Sequence, residues 1–251
     1  MGRRRFLGML TLAMPGFLAA DGLCLEPEWV RVRQLRLSNN PTHRLVHFTD
    51  FHFKGDAGYA AKAIQLINKQ KPHFVCFTGD LIEETVHLEK ALDFIRQIRF
   101  PVYGVPGNHE DWCRAPVEPF IEAFAQTGGQ WLRNTATTIP DKQIEILGWA
   151  DFRPGPIPQA QAAKRILLTH YPELADNTHG CRFDLILAGH SHGGQIRLPG
   201  YGPLFHGYGV GPYDMGRYDS PGGPLYVNPG IGTFFLPVRF NCRPEITVIE
   251  I

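Results

Sequence analysis

The chain has 251 residues, and its hydrophobic content of 43% suffices for one large domain with a buried core. Lysine and arginine number 25 against 24 aspartates and glutamates, so the net charge of +1 gives no overall attraction to nucleic acid, and no such partner is expected. The five cysteines show no C-x-x-C spacing and cannot all pair within one chain. We expect Cys76 to pack in a buried strand.

The N-terminus has the order of charged and apolar residues found in an export signal. Arginines at 3–5 precede an apolar run over residues 8–20, which resembles a twin-arginine signal for transport to the periplasm or cell envelope. Leu18 interrupts the small-residue pattern of a cleavage site, so retention of residues 1–24 as an anchor at the inner membrane is the alternative. Pro15 disfavours a long spanning helix. The sequence is therefore compatible with contact between the N-terminal segment and a membrane.

From residue 44 onward, short β-prone stretches alternate with stretches of helical spacing. The pattern predicts helices over residues 57–70, 85–98 and 117–127. It predicts strands over residues 44–49, 73–78, 101–105, 144–148, 166–169, 185–188 and 246–251. The glycine- and proline-rich remainder predicts turns and short strands. Alternation of this kind is typical of an α/β domain.

Polar residues of the types that bind metals follow five of these predicted strands. In chain order they are Asp50-x-His52, Gly79-Asp80, Gly107-Asn108-His109-Glu110, His170-x-Pro172 and Gly189-His190-Ser191-His192. In α/β sheets, ligands bind outside the carboxyl ends of the strands, so we expect these residues to converge on one site. The other histidines, at 43, 47, 73, 87, 179 and 206, lack such a context and are expected to serve packing or the surface, with His206 a candidate for the substrate cleft.

The five blocks resemble the signature of the calcineurin-like metallophosphoesterases over residues 44–195. The stretch 187–195 resembles a bacterial branch of that family that includes YkuE and YaeI. The resemblance implies an α/β sandwich of mixed β-sheets flanked by helices, with a catalytic domain over residues 44–251.

The resemblance also implies a site for two divalent metal ions. One ion would take Asp50, His52 and His192, the other would take Asn108, His170 and His190, and Asp80 would bridge them. Carboxylate and imidazole ligands suit manganese, iron or zinc, and a shared carboxylate offsets the repulsion between two cations. The neutral amide of Asn108 adds no charge that would repel a phosphate.

In this family pattern, a hydroxide between the metals attacks phosphorus. His109 would stabilise or protonate the leaving oxygen, and Glu83, three residues beyond Asp80, would orient His109. The implied substrate is a phosphomonoester, a phosphodiester or a pyrophosphate. Cell-envelope compounds, including the UDP-diacylglucosamine type of lipid A synthesis, belong to this class.

Two alternatives stay open at this point. A non-catalytic metal- or cell-wall-binding module could use the same fold, because a fold alone does not establish an activity. A zinc hydrolase with another arrangement of ligands is disfavoured by the absence of an H-E-x-x-H motif. The stretch 201–218 either caps a substrate pocket or packs as an irregular loop, and the sequence leaves the oligomeric state undetermined.

Overall fold

The computed structural model describes residues 21–139, 143–150 and 156–251. The predicted export signal or anchor over residues 1–24 lies outside the described residues, except for its last four positions, which begin a short π-helical turn, Asp21–Leu25. Within the described ranges, no helix combines the length and apolar character needed to cross a bilayer.

Two mixed β-sheets, each of six strands within the described ranges, form the centre of the fold. The first contains β1 (Arg31–Arg36), β2 (Arg44–Phe48), β3 (Phe74–Phe77), β4 (Val102–Gly104), β5 (Gln130–Trp131) and β14 (Glu245–Glu250). The second contains β6 (Thr135–Ile139), β7 (Ile144–Trp149), β8 (Lys164–Thr169), β9 (Leu185–Ala188), β12 (Gly216–Ser220) and β13 (Gly223–Val227). A small antiparallel pair, β10 (Arg197–Leu198) and β11 (Gly202–Pro203), stands apart.

The strand order is β1-β14-β2-β3-β4-β5 in the first sheet and β12-β13-β9-β8-β7-β6 in the second. Strands β2, β3, β4 and β5 run parallel to one another, as do β7, β8, β9 and β13. The parallel strands of each sheet therefore end at one common edge of that sheet.

Four helices accompany the first sheet in the described part of the chain: α1 (Ala57–Lys69), α2 (Leu88–Arg96), α3 (Asn108–Trp112) and α4 (Glu118–Gln126). The side chain of Asp56 caps α1 by accepting a hydrogen bond of 2.9 Å from the Tyr59 N–H. Helix α1 buries Ala60, Ala63, Ile64 and Ile67, whose spacing puts them on one face against the sheet.

Alternate residues of the central strands face different layers of the core. In β3, Val75 and Phe77 pack toward the helices, whereas Phe74 and Cys76 pack between the two sheets. The second sheet contributes side chains such as Ile166 to the space between the sheets. Each fully buried side chain of this kind contributes roughly 1.5–3 kcal/mol, so the sheets are held together mainly by apolar contacts.

The prediction of an α/β sandwich of mixed sheets flanked by helices is confirmed, and Cys76 lies in a buried strand as expected. Strand β1 was not predicted, and the first sheet begins before residue 44, the proposed start of the catalytic domain. The strand pairs with β14 at the sheet edge, where its arginines meet solvent and no apolar alternation marks it. The predicted helix over residues 85–98 is a 3-10 turn, Thr85–His87, followed by the shorter α2.

Candidate metal centre

The seven proposed metal ligands converge because the parallel strands end at adjacent edges of the two sheets. From the first sheet, Asp50 and His52 follow β2, Asp80 follows β3, and Asn108 follows β4. From the second sheet, His170 follows β8, and His190 and His192 follow β9. The site therefore lies where the two sheets meet, and neither sheet provides all the ligands.

Asp50, His52 and His192 form the first group of possible ligands, and their donor atoms lie within 4.8 Å of one another. His192 Nε2 is 3.3 Å from Asp50 Oδ1 and 3.0 Å from His52 Nε2. All three side chains are buried. Imidazole nitrogens and a carboxylate oxygen facing one point are a donor set that suits Mn, Fe or Zn.

Asp80, His170 and His190 form the second group, again within 4.8 Å. His170 Nε2 lies 3.2 Å from Asp80 Oδ2, and it is 3.0 Å from both His190 Nδ1 and Asn108 Oδ1. The same Asp80 Oδ2 is 3.5 Å from His52 Nε2 in the first group. Asp80 therefore stands between the two groups, as a bridging carboxylate would.

Hydrogen bonds to main-chain carbonyls fix the ring orientations in the second group. His170 Nδ1 lies 2.7 Å from the Thr78 carbonyl oxygen, and His190 Nε2 lies 2.7 Å from that of Tyr208. A carbonyl can only accept, so each of these nitrogens carries the proton. The other nitrogen of each ring faces the cluster, and in the neutral ring it has the lone pair that a metal requires.

The charges within the cluster balance only when cations or protons are present. Burial alone would raise the pKa of Asp50, but the neighbouring imidazoles of His192 and His52 hold that pKa well below its usual range. Burial likewise opposes the ionisation of Asp80, but His170 lowers the pKa of this carboxyl. Burial would lower the pKa of His170, yet Asp80 raises it to about 9. Burial would also lower the pKa of His52, but Asp50 and Asp80 help to raise it to about 9. Protons on His52 and His170 thus take the place that metal cations would take, and bound metal would displace them.

The donor types and their arrangement in two groups around Asp80 fit a pair of divalent cations. A profile of the calcineurin-like phosphoesterases matches residues 43–194. The chain belongs to the calcineurin-like phosphoesterase family.

Individual relatives match this phosphoesterase along its whole length. The metallophosphoesterase YkuE of Bacillus subtilis (strain 168) is 30% identical, with 100% of this chain and 98% of YkuE covered. The phosphodiesterase YaeI of Escherichia coli (strain K12) is 28% identical, with 100% and 99% covered. A transmembrane protein with a metallophosphoesterase domain from Danio rerio is 29% identical over 96% of this chain and 62% of that protein. The predicted resemblance is confirmed, and the chain is a phosphoric ester hydrolase with a dinuclear type of metal site.

Left-handed backbone conformations are concentrated at the metal centre of this phosphoesterase. Asp50, His52, Asp80, His190 and His192 have φ values of 50°, 45°, 58°, 66° and 49°. Such conformations cost free energy in residues other than glycine, and they persist where the surrounding structure imposes them. Here they turn the side chains inward immediately after the strands end.

Glycines allow the strand ends to approach one another. A Cβ atom on Gly107 would lie 2.1 Å from Asp80 Oδ1, and one on Gly189 would lie 2.2 Å from Thr49 Oγ1. Both distances are far below van der Waals contact. The glycines in the Gly107-Asn108 and Gly189-His190 blocks are therefore needed for close packing around the carboxylates.

Glu110 is a site residue whose role the sequence pattern does not indicate. Its buried carboxylate accepts hydrogen bonds from the N–H groups of Gly107 (2.7 Å), Asp80 (3.0 Å) and Leu81 (2.7 Å). Burial raises the pKa of Glu110, and the neighbouring Asp80 raises it further. The residue holds the loop after β3 against the loop after β4. The position of Glu110 in the Gly107-Asn108-His109-Glu110 block is the sequence feature that could have indicated this role.

A cavity of about 510 Å³ opens from the metal centre to the surface. Polar residues of the centre, including His109 and Asn108, form its floor. Its walls are mainly apolar and aromatic: Trp112, Tyr171, Ile196, Phe205, Tyr208, Phe234, Phe235, Leu236 and Val238. Phe205 and Tyr208 come from the stretch predicted to cap a pocket or to pack as a loop. His206 is exposed and is not among the residues that line the described cavity.

Proposed function

We propose that this phosphoesterase hydrolyses phosphate esters at a dinuclear centre formed by Asp50, His52 and His192 on one side and Asn108, His170 and His190 on the other. The position of Asp80 between the two groups carries the proposal. When bound, two divalent cations supply an ionised water as nucleophile and stabilise charge on the phosphoryl oxygens. Manganese, iron and zinc all suit the donor set.

The side chains around the centre have separate tasks in this proposal. The carboxylates of Asp50 and Asp80 bind cations, while Asn108 offers a neutral oxygen and leaves net positive charge for the phosphate. His109 reaches the cavity beside them and donates a proton to the leaving oxygen. Its Nδ1 faces the Glu83 carboxylate at 3.3 Å, which leaves Nε2 for the substrate.

The substrate we propose is a phosphodiester or a pyrophosphate of the cell envelope, with phosphomonoesters as a second class. The relative YaeI is described as a phosphodiesterase, which favours diesters. The cavity volume of about 510 Å³ exceeds that of a phosphate group and leaves room for substituents on the phosphorus. A pyrophosphate of the UDP-diacylglucosamine type fits this class only if the domain faces the cytoplasm.

We propose export by the twin-arginine route, with the catalytic domain in the periplasm or cell envelope. The arginines at 3–5 and the apolar run over residues 8–20 support this location. Retention of residues 1–24 as an inner-membrane anchor is the second location to be tested. Fractionation combined with protease accessibility of the intact cells separates a periplasmic domain from a cytoplasmic one.

The experiment that tests the activity uses the full chain stripped of metal with EDTA. Bis-p-nitrophenyl phosphate and p-nitrophenyl phosphate are offered while Mn²⁺, Fe²⁺ or Zn²⁺ is added back. We expect turnover to rise with metal to a plateau near two equivalents and to be lost in Asp80→Asn. Asp93→Asn, an exposed position on α2, is the matched control and should retain turnover.

Full turnover by Asp80→Asn would contradict a bridging role for this carboxylate. Two bound metals, measured by calorimetry, without turnover of either ester would favour a very selective substrate pocket. No bound metal at all would favour the non-catalytic binding module. The ratio of diester to monoester turnover in the active protein then decides between the two proposed substrate classes.

A further inference from the structure

Two loops at the mouth of the cavity expose large apolar side chains. Six of these side chains, which we call the apolar rim, are each more than half exposed: Tyr201, Leu204, Phe205, Tyr208, Phe235 and Leu236. Phe235 is the extreme case, with 82% of its surface exposed. A contiguous exposed apolar patch on a folded domain marks a surface that binds something.

The loops that carry the rim contain almost no charge. Residues 198–208 and 229–238 include no Asp, Glu, Lys or Arg, in a chain whose overall content of these residues is 20%. Burying such a surface against an apolar phase therefore requires little desolvation of charged groups. A protein or nucleotide partner recognised by ion pairs would find no charged group of this kind on these loops.

The fold holds the exposed aromatic side chains in place. Phe235 has a φ of 58°, a left-handed conformation that is unfavourable for a large side chain. The neighbouring Phe234 N–H donates to Gln195 Oε1 at 2.6 Å, and Gln195 Nε2 donates to the Phe234 carbonyl at 3.0 Å. This side-chain clamp fixes the loop with Phe235 directed outward. A strained backbone conformation at an exposed aromatic residue indicates a function at that position.

The rim continues into the catalytic cavity. Phe205, Tyr208, Phe235 and Leu236 belong to the rim and also line the cavity whose floor includes His109. A phosphate at the metal centre therefore has apolar walls directly beside it. A substituent that extends from the phosphorus toward the cavity mouth would lie against aliphatic and aromatic side chains.

The N-terminal segment joins the domain next to the same loop. The carbonyl of Gly22 accepts a hydrogen bond of 2.9 Å from the Arg239 N–H, and a Cβ atom on Gly22 would lie 3.6 Å from Cγ2 of Val238, which lines the cavity. Leu23 and Leu25 beside it are exposed. The preceding sequence is apolar over residues 8–20. The first described residues of the chain therefore lie beside the loop that carries Phe235 and Leu236.

From these observations we propose that the apolar rim binds a lipid surface and that the enzyme takes an amphiphilic phosphate ester from it. The phosphate lies at the metal centre and the hydrocarbon part lies along the rim. The proposal rests on the proposed function, because the bound ester must reach a hydrolytic centre. Aromatic side chains with Tyr among them suit the boundary between lipid and water.

The first test compares ethyl p-nitrophenyl phosphate with dodecyl p-nitrophenyl phosphate, which release the same leaving group. Both are assayed as monomers with the full chain and Mn²⁺. We expect kcat/KM for the dodecyl ester to be higher by on the order of tenfold or more, because each buried methylene contributes roughly fourfold. Phe235→Ser should bring the ratio toward one, whereas Ile121→Ser, exposed on α4, should leave it as in the wild type.

The second test measures lipid contact without metal or turnover. Tyr201→Trp puts an indole on the rim, and Ile121→Trp puts one on the exposed face of α4. Both full-length variants are mixed with phosphatidylglycerol and phosphatidylcholine vesicles whose acyl chains are brominated. We expect quenching of the added fluorescence for Tyr201→Trp only, because bromine quenches an indole only at short range. The N-terminal segment is the same in both proteins.

Equal quenching of the two added tryptophans, or equal kcat/KM for the two esters, would overturn the proposal. A dimer that forms without lipid and is lost in Phe235→Ser, measured by sedimentation, would assign the rim to a second copy of the chain instead. If no metal supports turnover of either ester, the proposed function fails, and the quenching comparison still decides whether the rim binds lipid.

Discussion

Glu83 Oε2 lies 3.3 Å from His109 Nδ1, on the side of the ring opposite the nitrogen that would meet the substrate. The other oxygen of this carboxylate lies 3.2 Å from Nδ1 of His52, one of the proposed metal ligands. Burial would raise the pKa of Glu83, but the imidazoles of His109 and His52 beside it lower that pKa well below its usual range. One carboxylate therefore orients both the proposed proton donor and a proposed metal ligand.

Replacing the proposed proton donor by His109→Ala should slow turnover on the order of a hundredfold while two metals stay bound. The loss should be larger for diphenyl phosphate than for bis-p-nitrophenyl phosphate, since phenolate is the poorer leaving group and needs protonation more. Steady-state kinetics with both esters and metal analysis by mass spectrometry check this. An equal loss for both esters would argue against proton donation.

Removing the charge of the orienting carboxylate by Glu83→Gln should reduce turnover by about tenfold to a hundredfold and weaken metal binding at the His52 group. Glu84→Gln, next to it and exposed, is the matched control and should behave as the wild type. Calorimetric titration with Mn²⁺ and kcat measurements separate the two effects. Unchanged metal affinity together with reduced kcat would restrict the role of Glu83 to His109.

The buried carboxylate of Glu110 should matter for stability as well as for the site. In Glu110→Gln the amide cannot accept all three backbone hydrogen bonds, so we expect a loss of about 1–3 kcal/mol in the free energy of unfolding. Urea denaturation of the metal-free proteins measures this loss. Glu122→Gln, on the exposed side of α4, should cost less than about 0.5 kcal/mol. Equal stability of the two variants would contradict a structural role for Glu110.

Adding one methyl group in Gly189→Ala should disturb the metal centre. The new Cβ would lie 2.2 Å from Thr49 Oγ1 and 2.4 Å from Asp50 Oδ2, so the strand end must shift. We expect a loss of metal affinity of at least roughly tenfold at the Asp50 group. Gly58→Ala in α1 has an ordinary contact of 3.4 Å and should bind metal as the wild type does. Wild-type metal affinity in Gly189→Ala would show that the close approach is dispensable.

His47 predicts a dependence of stability on pH. It is fully buried, its Nε2 lies 2.9 Å from Thr78 Oγ1, and burial lowers its pKa from 6.5 to about 3. The folded state therefore keeps this imidazole neutral, while the unfolded chain takes up a proton below pH 6.5. Its contribution to stability is present above pH 6.5 and is lost as the pH falls toward 3.

Between pH 7 and pH 5, the titration of His47 alone should lower the free energy of unfolding by about 2 kcal/mol. His47→Gln should remove this part of the decline in the free energy of unfolding, measured by urea denaturation in EDTA. In His206→Gln, at an exposed position, the free energy of unfolding should decline with pH as it does in the wild type. A decline in His47→Gln as steep as that of the wild type would show that His47 titrates normally in the folded protein.

Much of the architecture could be predicted because the central strands are short, apolar and bounded by polar residues. Strand β9 was predicted with its observed bounds, and β2 and β8 to within two residues at each end. The edge strand β1 escaped prediction, since a half-exposed strand rich in arginine carries no apolar alternation. The role of Glu110 was not predicted either, because its hydrogen bonds with Asp80 and Leu81 join residues about thirty positions apart in the sequence.

The sequence by itself indicated candidate metal-binding residues in chain order, because each follows a strand whose apolar pattern is local, and the family resemblance implied which of them are ligands. It also determined the family, through the five blocks that contain these residues. The resemblance implied a bridging Asp80 and an orientation of His109 by Glu83, and the tertiary structure gave the distances for both. Only the tertiary structure decided that Glu83 also reaches His52. It also decided that Phe205 and Phe235 meet at one cavity mouth. These relationships join residues far apart in the chain, and their distances depend on how two sheets pack, which no local pattern encodes.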